Sequence, residues 1–171
     1  MNTIRELVGQ ELAWVPTEES TSRYTLLAGE VVLATLEMSD RTATARAEAA
    51  EGSFTIKREG MFREGVAVQT TEDGQLLATF TKGWRGGMLQ FTDGRMYKWG
   101  NSNFWRRRKA WMEPSGVPLV EVTTRFSRRL LVTVTPQAVM IPELSLLAIL
   151  GLYIVLLTQR DEQTAAAKSY G

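Results

Sequence analysis

From Arg23 to about Thr135 the chain alternates short runs of apolar and polar residues with turn signals. Val31 to Met38 is one such run. The pairs Asp73-Gly74 and Asp93-Gly94 are typical of tight hairpins between antiparallel strands. The turn signals recur roughly every 8–12 residues, the spacing of a meandering antiparallel barrel or sandwich. We therefore predict roughly ten to twelve short strands in this region.

The segment from Pro142 to Leu157 is apolar on every side, whereas a surface helix keeps a polar face. Pro142 fits the first turn of a helix, and Glu143 suits the positive end of the helix dipole. Residues 144–157 span about 21 Å, and a membrane-spanning helix needs about 20 residues to cross about 30 Å. This length favours a helix enclosed by protein. The alternative is a tail-anchored protein, with residues 144–157 in the bilayer and a cytoplasmic β domain.

The predicted strands and the predicted apolar helix fit together in one fold. A closed sheet of about twelve strands encloses more volume than its own side chains fill, and an apolar helix about 10 Å across would occupy the lumen. We predict a mainly β fold, an antiparallel β-barrel of about twelve strands that encloses a C-terminal hydrophobic α-helix at residues 142–159. The barrel is expected over residues 23–160. A short amphipathic helix and a linker are expected over residues 1–22, and a disordered tail over residues 161–171.

This layout resembles the tubby C-terminal domain, the phospholipid scramblases and the plant LURP-one-related proteins. The resemblance covers about Arg23 to Arg160. It rests on the strand-and-turn rhythm, on Gly116-Val117-Pro118-Leu119-Val120 before the final hairpin, and on the Pro142–Leu157 helix. It implies a non-enzymatic module that binds anionic phospholipid headgroups, such as phosphoinositides, through Lys and Arg. The chain lacks the cysteine cluster of the scramblases, so calcium-activated scrambling is not implied.

The composition limits the kinds of partner, catalytic site and metal site that this chain can have. The chain has 20 Lys and Arg against 19 Asp and Glu, so its net charge of +1 gives no global attraction to nucleic acid or membrane. It contains no Cys and no His, which excludes Ser-His-Asp and Cys-His catalysis and His-ligated zinc. We therefore expect no enzyme, no cofactor and no metal site. The N-terminus has no apolar core of signal-peptide type, so we expect a cytoplasmic protein, free or peripheral at the membrane, with a single-pass C-terminal membrane anchor as the alternative.

Residues 95–111 form the most distinctive local cluster, with six cations, no acid and five interleaved aromatic residues. Such a mixture suits an anionic headgroup surface, and less specifically single-stranded nucleic acid, which we do not favour as a partner. The candidate lipid-binding or anion-binding residues are Arg95, Lys98, Trp105, Arg106, Arg107, Arg108 and Lys109. In the simpler interpretation the Trp side chains point into the core and the cations point to water. An unidentified protein partner is the remaining alternative.

Overall fold

The structure, a computed structural model, describes residues 1–59, 65–83, 85–102, 108–124 and 129–169. Twelve strands and one long helix account for most of them. The strands are β1 (Leu12–Thr17), β2 (Ser20–Ala28), β3 (Val31–Met38), β4 (Ala45–Ala49), β5 (Gly52–Glu59), β6 (Gly65–Thr70), β7 (Leu76–Lys82), β8 (Gly87–Phe91), β9 (Met96–Asn101), β10 (Arg108–Met112), β11 (Pro118–Thr124) and β12 (Leu130–Val134). The helix, α1 (Leu144–Ser169), follows a short 3-10 helix at Pro136–Met140.

The strands form a closed antiparallel barrel. Each strand pairs with its neighbours along the chain, and β1 pairs with β12 to complete the ring. Side chains alternate between the lumen and solvent, as strand geometry requires. In β4, for example, Ala45 and Ala47 are buried, whereas Arg46 and Glu48 are exposed. The predicted fold class, a barrel of about twelve strands around a C-terminal helix, is confirmed.

Helix α1 fills the lumen. Every residue from Leu144 to Ile154 is buried, and the helix packs against β3, β4, β10 and β11. Two indole N–H groups of the barrel wall fix the position of α1 along the barrel axis. Trp111 donates to the carbonyl oxygen of Leu147 at 2.7 Å, and Trp14 donates to that of Ala148 at 3.3 Å. Because both bonds are buried, sliding or turning the helix would leave polar groups without partners, at a cost of about 1–3 kcal/mol each.

The two ends of the barrel differ. At the helix-start end, Arg95 in the β8–β9 hairpin pairs with Glu143, and Ser145 donates to Glu51 at 2.9 Å. A 3-10 helix at Ile4–Leu7 packs against α1 there, with Ile4 fully buried. At the helix-exit end, polar side chains of α1 reach the ends of β3 and β5, and the helix continues out of the barrel.

The expectation for the N-terminal residues is wrong. In place of a helix and a linker over residues 1–22, the structure has the short Ile4–Leu7 helix and then β1 and the start of β2, so the barrel begins well before residue 23. Leu12 and Trp14 are both buried, at the two-residue spacing of a strand. β1 pairs with β2 on one edge and with β12 on the other, and β12 lies more than 100 residues away in the chain.

The helix is longer than predicted, because α1 continues through Asp161 to Ser169, where a disordered tail is expected. Residues 159–168 are rich in Gln, Glu and Ala, which are good helix formers, and side chains of Arg160 and Asp161 hold the helix to the barrel. Among the described residues, α1 is the one helix long and apolar enough to cross a membrane, and 67% of its most apolar 18-residue stretch is buried inside the protein.

Candidate functional site

The structure does not bring the predicted site residues together. Trp105, Arg106 and Arg107 lie outside the described residues. Of the others, Arg95 lies at the helix-start end, Lys98 and Arg108 are exposed, and Lys109 lines a cavity at the helix-exit end. The cluster that is continuous in sequence is therefore divided between different surfaces of the barrel.

Arg95 is bound within the protein. Its guanidinium pairs with Asp93 at 2.7 Å and with Glu143 at 2.5 Å, and it lies 4.9 Å from the centre of the Phe91 ring. The hydrogen bond with Glu143 raises the pKa of Arg95, and the backbone N–H and side chain of Arg95 lower the pKa of Asp93. Arg95 therefore holds the start of α1 in place through Glu143, and its role as a binding cation stays a prediction.

Lys98 lies on the outer wall because its neighbour Trp99 points inward. Trp99 pairs with Trp111 across β9 and β10, and the two buried rings lie 4.9 Å apart in the lumen. The same alternation in β10 puts Arg108 outside and Lys109 inside. For the described members of the cluster, the interpretation with Trp inside and cations in water therefore holds at Trp99, Lys98, Trp111 and Arg108.

Lys109 belongs to a different group of cations. It lines a cavity of about 480 Å³ between α1 and the barrel wall at the helix-exit end, which we call the exit pocket. The other basic residues that line it are Arg58, Lys82 and Arg85, and the acidic one is Asp161. Four cations therefore surround the exit pocket against one carboxylate among its described lining residues.

Strand order explains how these cations meet. In an antiparallel meander, β5 and β7 end where β10 begins, so Arg58, Lys82 and Lys109 all lie at one end of the barrel. All three also occupy inward positions. Arg58 continues the buried series Phe54 and Ile56, Lys82 continues Ala78 and Phe80, and Lys109 precedes Trp111 by two residues. Each strand thus has a cation at its inward position nearest the helix-exit end, and apolar side chains at the inward positions deeper in the barrel.

The floor of the exit pocket is apolar. Its wall side is formed by Val66, Phe80 and Trp99, and its helix side by Ile154 and Leu157. All five side chains are no more than 9% exposed. The cavity therefore combines a charged mouth with an apolar interior.

Asp161 neutralises one of the four cations. Its carboxylate accepts two hydrogen bonds from Arg58, at 2.6 and 3.0 Å, and this contact raises the pKa of Arg58. Within the described part of the chain, Lys82, Arg85 and Lys109 make no ion pair. These three side chains carry the uncompensated charge of the pocket.

A second cavity, of about 420 Å³, lies on another side of α1 at the same end. Its cations are Arg129 and Arg160, and Arg160 already donates to the carbonyl oxygens of Ser39 and Thr42. Nearby, the buried hydroxyl of Tyr153 donates to the carbonyl oxygen of Ala43. Tyr153 is thus a core tyrosine whose hydroxyl has a hydrogen-bond partner. The exit pocket carries the larger excess of positive charge.

Sequence reasoning missed Arg58, on the β5–β6 hairpin, and Lys82 and Arg85, on the β7–β8 hairpin. A signal is nevertheless present, because a cation at the inward position nearest one end of several strands marks one mouth of a barrel. Gly83, Arg85 and Gly86 lie between β7 and β8. Gly86 is required there, since a Cβ atom would lie 1.9 Å from the carbonyl oxygen of Trp99.

The chemistry of the exit pocket is that of anion binding. Guanidinium and ammonium groups form charge-assisted hydrogen bonds with phosphate and carboxylate oxygens. The described residues contain no group of three or more Asp and Glu side chains placed to hold a metal ion.

Comparisons with protein-family models, with curated proteins and with solved structures found no match to this chain. The resemblance to the tubby, scramblase and LURP-one-related proteins therefore stays a prediction from the layout of the sequence.

Proposed function

We propose that this chain is a non-enzymatic binding module that binds anionic phospholipid headgroups, phosphoinositides among them, at the helix-exit end of the barrel. The observation that carries the proposal is the exit pocket, where Lys82, Arg85 and Lys109 stand without an ion-pairing partner among the described residues. A membrane with anionic lipids attracts such a surface with about 1 kcal/mol per cation.

The position of the cations supports this proposal over binding on the outer wall. Several cations around one cavity contact a phosphorylated headgroup from more than one side, whereas an isolated cation on the outer wall contacts it from one side only. The helix-start end is a weaker candidate for binding a phosphorylated headgroup, because Arg95 is paired with two carboxylates there. The protein would act as a cytoplasmic, peripheral membrane protein, with α1 inside the barrel.

Vesicle flotation tests the proposal. The full chain should float with phosphatidylcholine vesicles that contain phosphatidylserine or phosphatidylinositol bisphosphate, and not with phosphatidylcholine alone. Binding should weaken from about 50 to about 300 mM salt, because electrostatic attraction is screened. If the protein ignores acidic vesicles at low salt, the lipid function is wrong, and a protein partner becomes the better hypothesis.

A pair of matched variants locates the site. Lys82→Glu with Lys109→Glu changes the charge of the exit pocket, and Lys98→Glu with Arg108→Glu makes the same change on the outer wall. We expect the pocket variant to lose flotation and the wall variant to keep most of it. The opposite result would move the lipid contact to the wall.

The tail-anchored alternative has one observation in its favour, the length and apolar composition of α1. It requires α1 to leave the barrel, which would break the buried bonds from Trp14 and Trp111 and expose the lumen to water. Carbonate extraction separates the two hypotheses, since a peripheral protein is released from membranes and an anchored one is retained.

A further inference from the structure

We propose that the exit pocket binds the apolar chain of an anionic amphiphile together with its charged group. In this arrangement the anion lies on Lys82, Arg85 and Lys109, and the chain lies between α1 and the barrel wall. The inference deepens the proposed function, because it concerns the same pocket. It adds that the ligand is a single amphiphilic molecule held partly inside the barrel.

The first argument is the separation of charge and apolar surface within one cavity. Lys82 and Arg85 are exposed at its mouth, whereas Phe80 and Trp99 are buried below them. Phe80 and Lys82 occupy successive inward positions of β7, so the change from aromatic to cationic surface takes place within one strand repeat. A ligand that satisfies both surfaces has an anionic group next to an apolar part.

The second argument is the nature of the inner walls. One wall of the gap is barrel, with Val66, Phe80 and Trp99, and the other is helix, with Ile154 and Leu157. An inorganic anion held at the mouth would make no contact with these apolar side chains. An acyl chain in the cavity would cover the apolar surface that still lines it, and burial of apolar surface is the main source of affinity in ligand pockets.

The third argument is size. The cavity of about 480 Å³ lies within the range of about 300–1,000 Å³ that is typical of small-molecule sites. The cavity is open at the mouth, where the charged group would stay in contact with water and with the ammonium groups of Lys82 and Lys109. This geometry suits one chain, with its anionic end outward.

Calorimetry on the full chain tests the inference with three defined probes. Decyl phosphate, used below its micelle concentration, has both the anion and the chain. Glycerol 3-phosphate has the anion without the chain, and decyl glucoside has the chain without the anion. We expect one molecule of decyl phosphate to bind, at least about tenfold more tightly than either control. Equal affinity for decyl phosphate and glycerol 3-phosphate would overturn the inference.

Chain length gives a measurement that needs no variant. Affinity should rise from hexyl to octyl to decyl phosphate, at about tenfold per added pair of methylenes, because each methylene is buried. An affinity that does not depend on chain length would place the chain outside the protein and refute the inference.

A variant on the helix locates the chain. Thr158 lines the exit pocket and is exposed, and its hydroxyl bonds only to the Ile154 carbonyl oxygen in its own helix. Thr158→Trp should fill the gap and weaken decyl phosphate binding about tenfold or more, with glycerol 3-phosphate binding unchanged. Ala165→Trp, on an exposed part of α1 beyond the pocket, should have no effect. Equal effects of the two variants would argue against a chain in the gap.

Flotation and calorimetry together distinguish a failure of this inference from a failure of the proposed function. Flotation with acidic vesicles without any chain-length dependence would leave headgroup binding and exclude the chain site. Tight binding of decyl phosphate without flotation would leave the chain site and exclude the membrane function. In that case the ligand would be a soluble anionic amphiphile.

Discussion

The two ends of the barrel use the same kinds of charged residue in different ways. At the helix-start end, Arg95 is neutralised by Asp93 and Glu143, and the nearby 3-10 helix packs over α1. At the helix-exit end, four cations line the exit pocket against one carboxylate, that of Asp161, among the lining residues that the structure describes. The comparison teaches that local charge density in the sequence does not identify a binding site. What matters is whether the fold supplies the opposite charge.

Removal of the helix should have the largest effect on the molecule. Deleting residues 142–171 would empty the lumen, and the cost would exceed the roughly 2–5 kcal/mol of a single core truncation many times over. We expect an aggregated product without a cooperative thermal transition by circular dichroism. Deleting residues 163–171 keeps the Arg58–Asp161 pair and should leave a folded, monodisperse protein. A well-folded product of the longer deletion would contradict the enclosed helix.

Alkaline pH should destabilise the helix-exit end through Tyr153. Burial raises the pKa of Tyr153 to about 12, above the ordinary value of 10.0. The stability that comes from the neutral phenol is fully present below pH 10 and is lost as the pH rises towards 12, because the unfolded chain ionises first. The loss is about 2–3 kcal/mol in the free energy of unfolding.

Urea unfolding of the wild type and of Tyr153→Phe, at intervals from pH 8 to 11.5, measures this loss. The variant should be less stable by about 1 kcal/mol at pH 8, since it leaves the carbonyl oxygen of Ala43 without its donor. Its stability should fall less steeply above pH 10. Parallel curves for the two proteins would show that Tyr153 is not the group responsible.

Removing one carboxylate at each end of the barrel should have the smallest effect on stability. It is also the most direct test of the difference between the two ends. Glu143→Gln and Asp161→Asn each remove one carboxylate that pairs with an arginine. Because these ion pairs are partly exposed, we expect each change to cost about 1 kcal/mol or less in denaturant unfolding.

The two variants should differ in binding. Asp161→Asn removes the one carboxylate among the described lining residues of the exit pocket, so affinity for acidic vesicles should rise about fivefold in a flotation titration. Glu143→Gln leaves Arg95 paired with Asp93 alone at the other end and should leave the affinity nearly unchanged. An equal rise for both would mean that total charge, and not the pocket, governs binding.

Much of the fold could be predicted because its signals are local. The Asp93-Gly94 turn, the two-residue alternation and the all-apolar segment that starts after Pro142 act over a few residues each. The strand β1 could not be predicted in this way, since Ile4, Leu7, Val8 and Leu12 are spaced as in an amphipathic helix, whereas Leu12 and Trp14 are spaced as in a strand. Pairing of β1 with β2 on one edge and with β12 on the other selects the strand, and the contact with β12 is distant in sequence.

The candidate site was predictable only in part, because it is formed by the closure of the barrel. Lys109 was found because it lies in a dense run of cations, and the same run led to Arg95, which the fold pairs with Glu143. Arg58 and Lys82 have no basic cluster around them. Their common property is an inward position near the end of a strand, which has meaning only after the strand order is known.

The pairing of β1 with β12 also sets an order of events during synthesis. Strand β1 is synthesised long before its partner β12, and the helix that fills the lumen emerges later still. Until then the chain exposes an unpaired edge and an apolar concave surface, both of which favour association with other chains. Closure of the barrel should therefore be slow, should await the synthesis of β12 and α1, and should depend on chaperones that shield the open sheet.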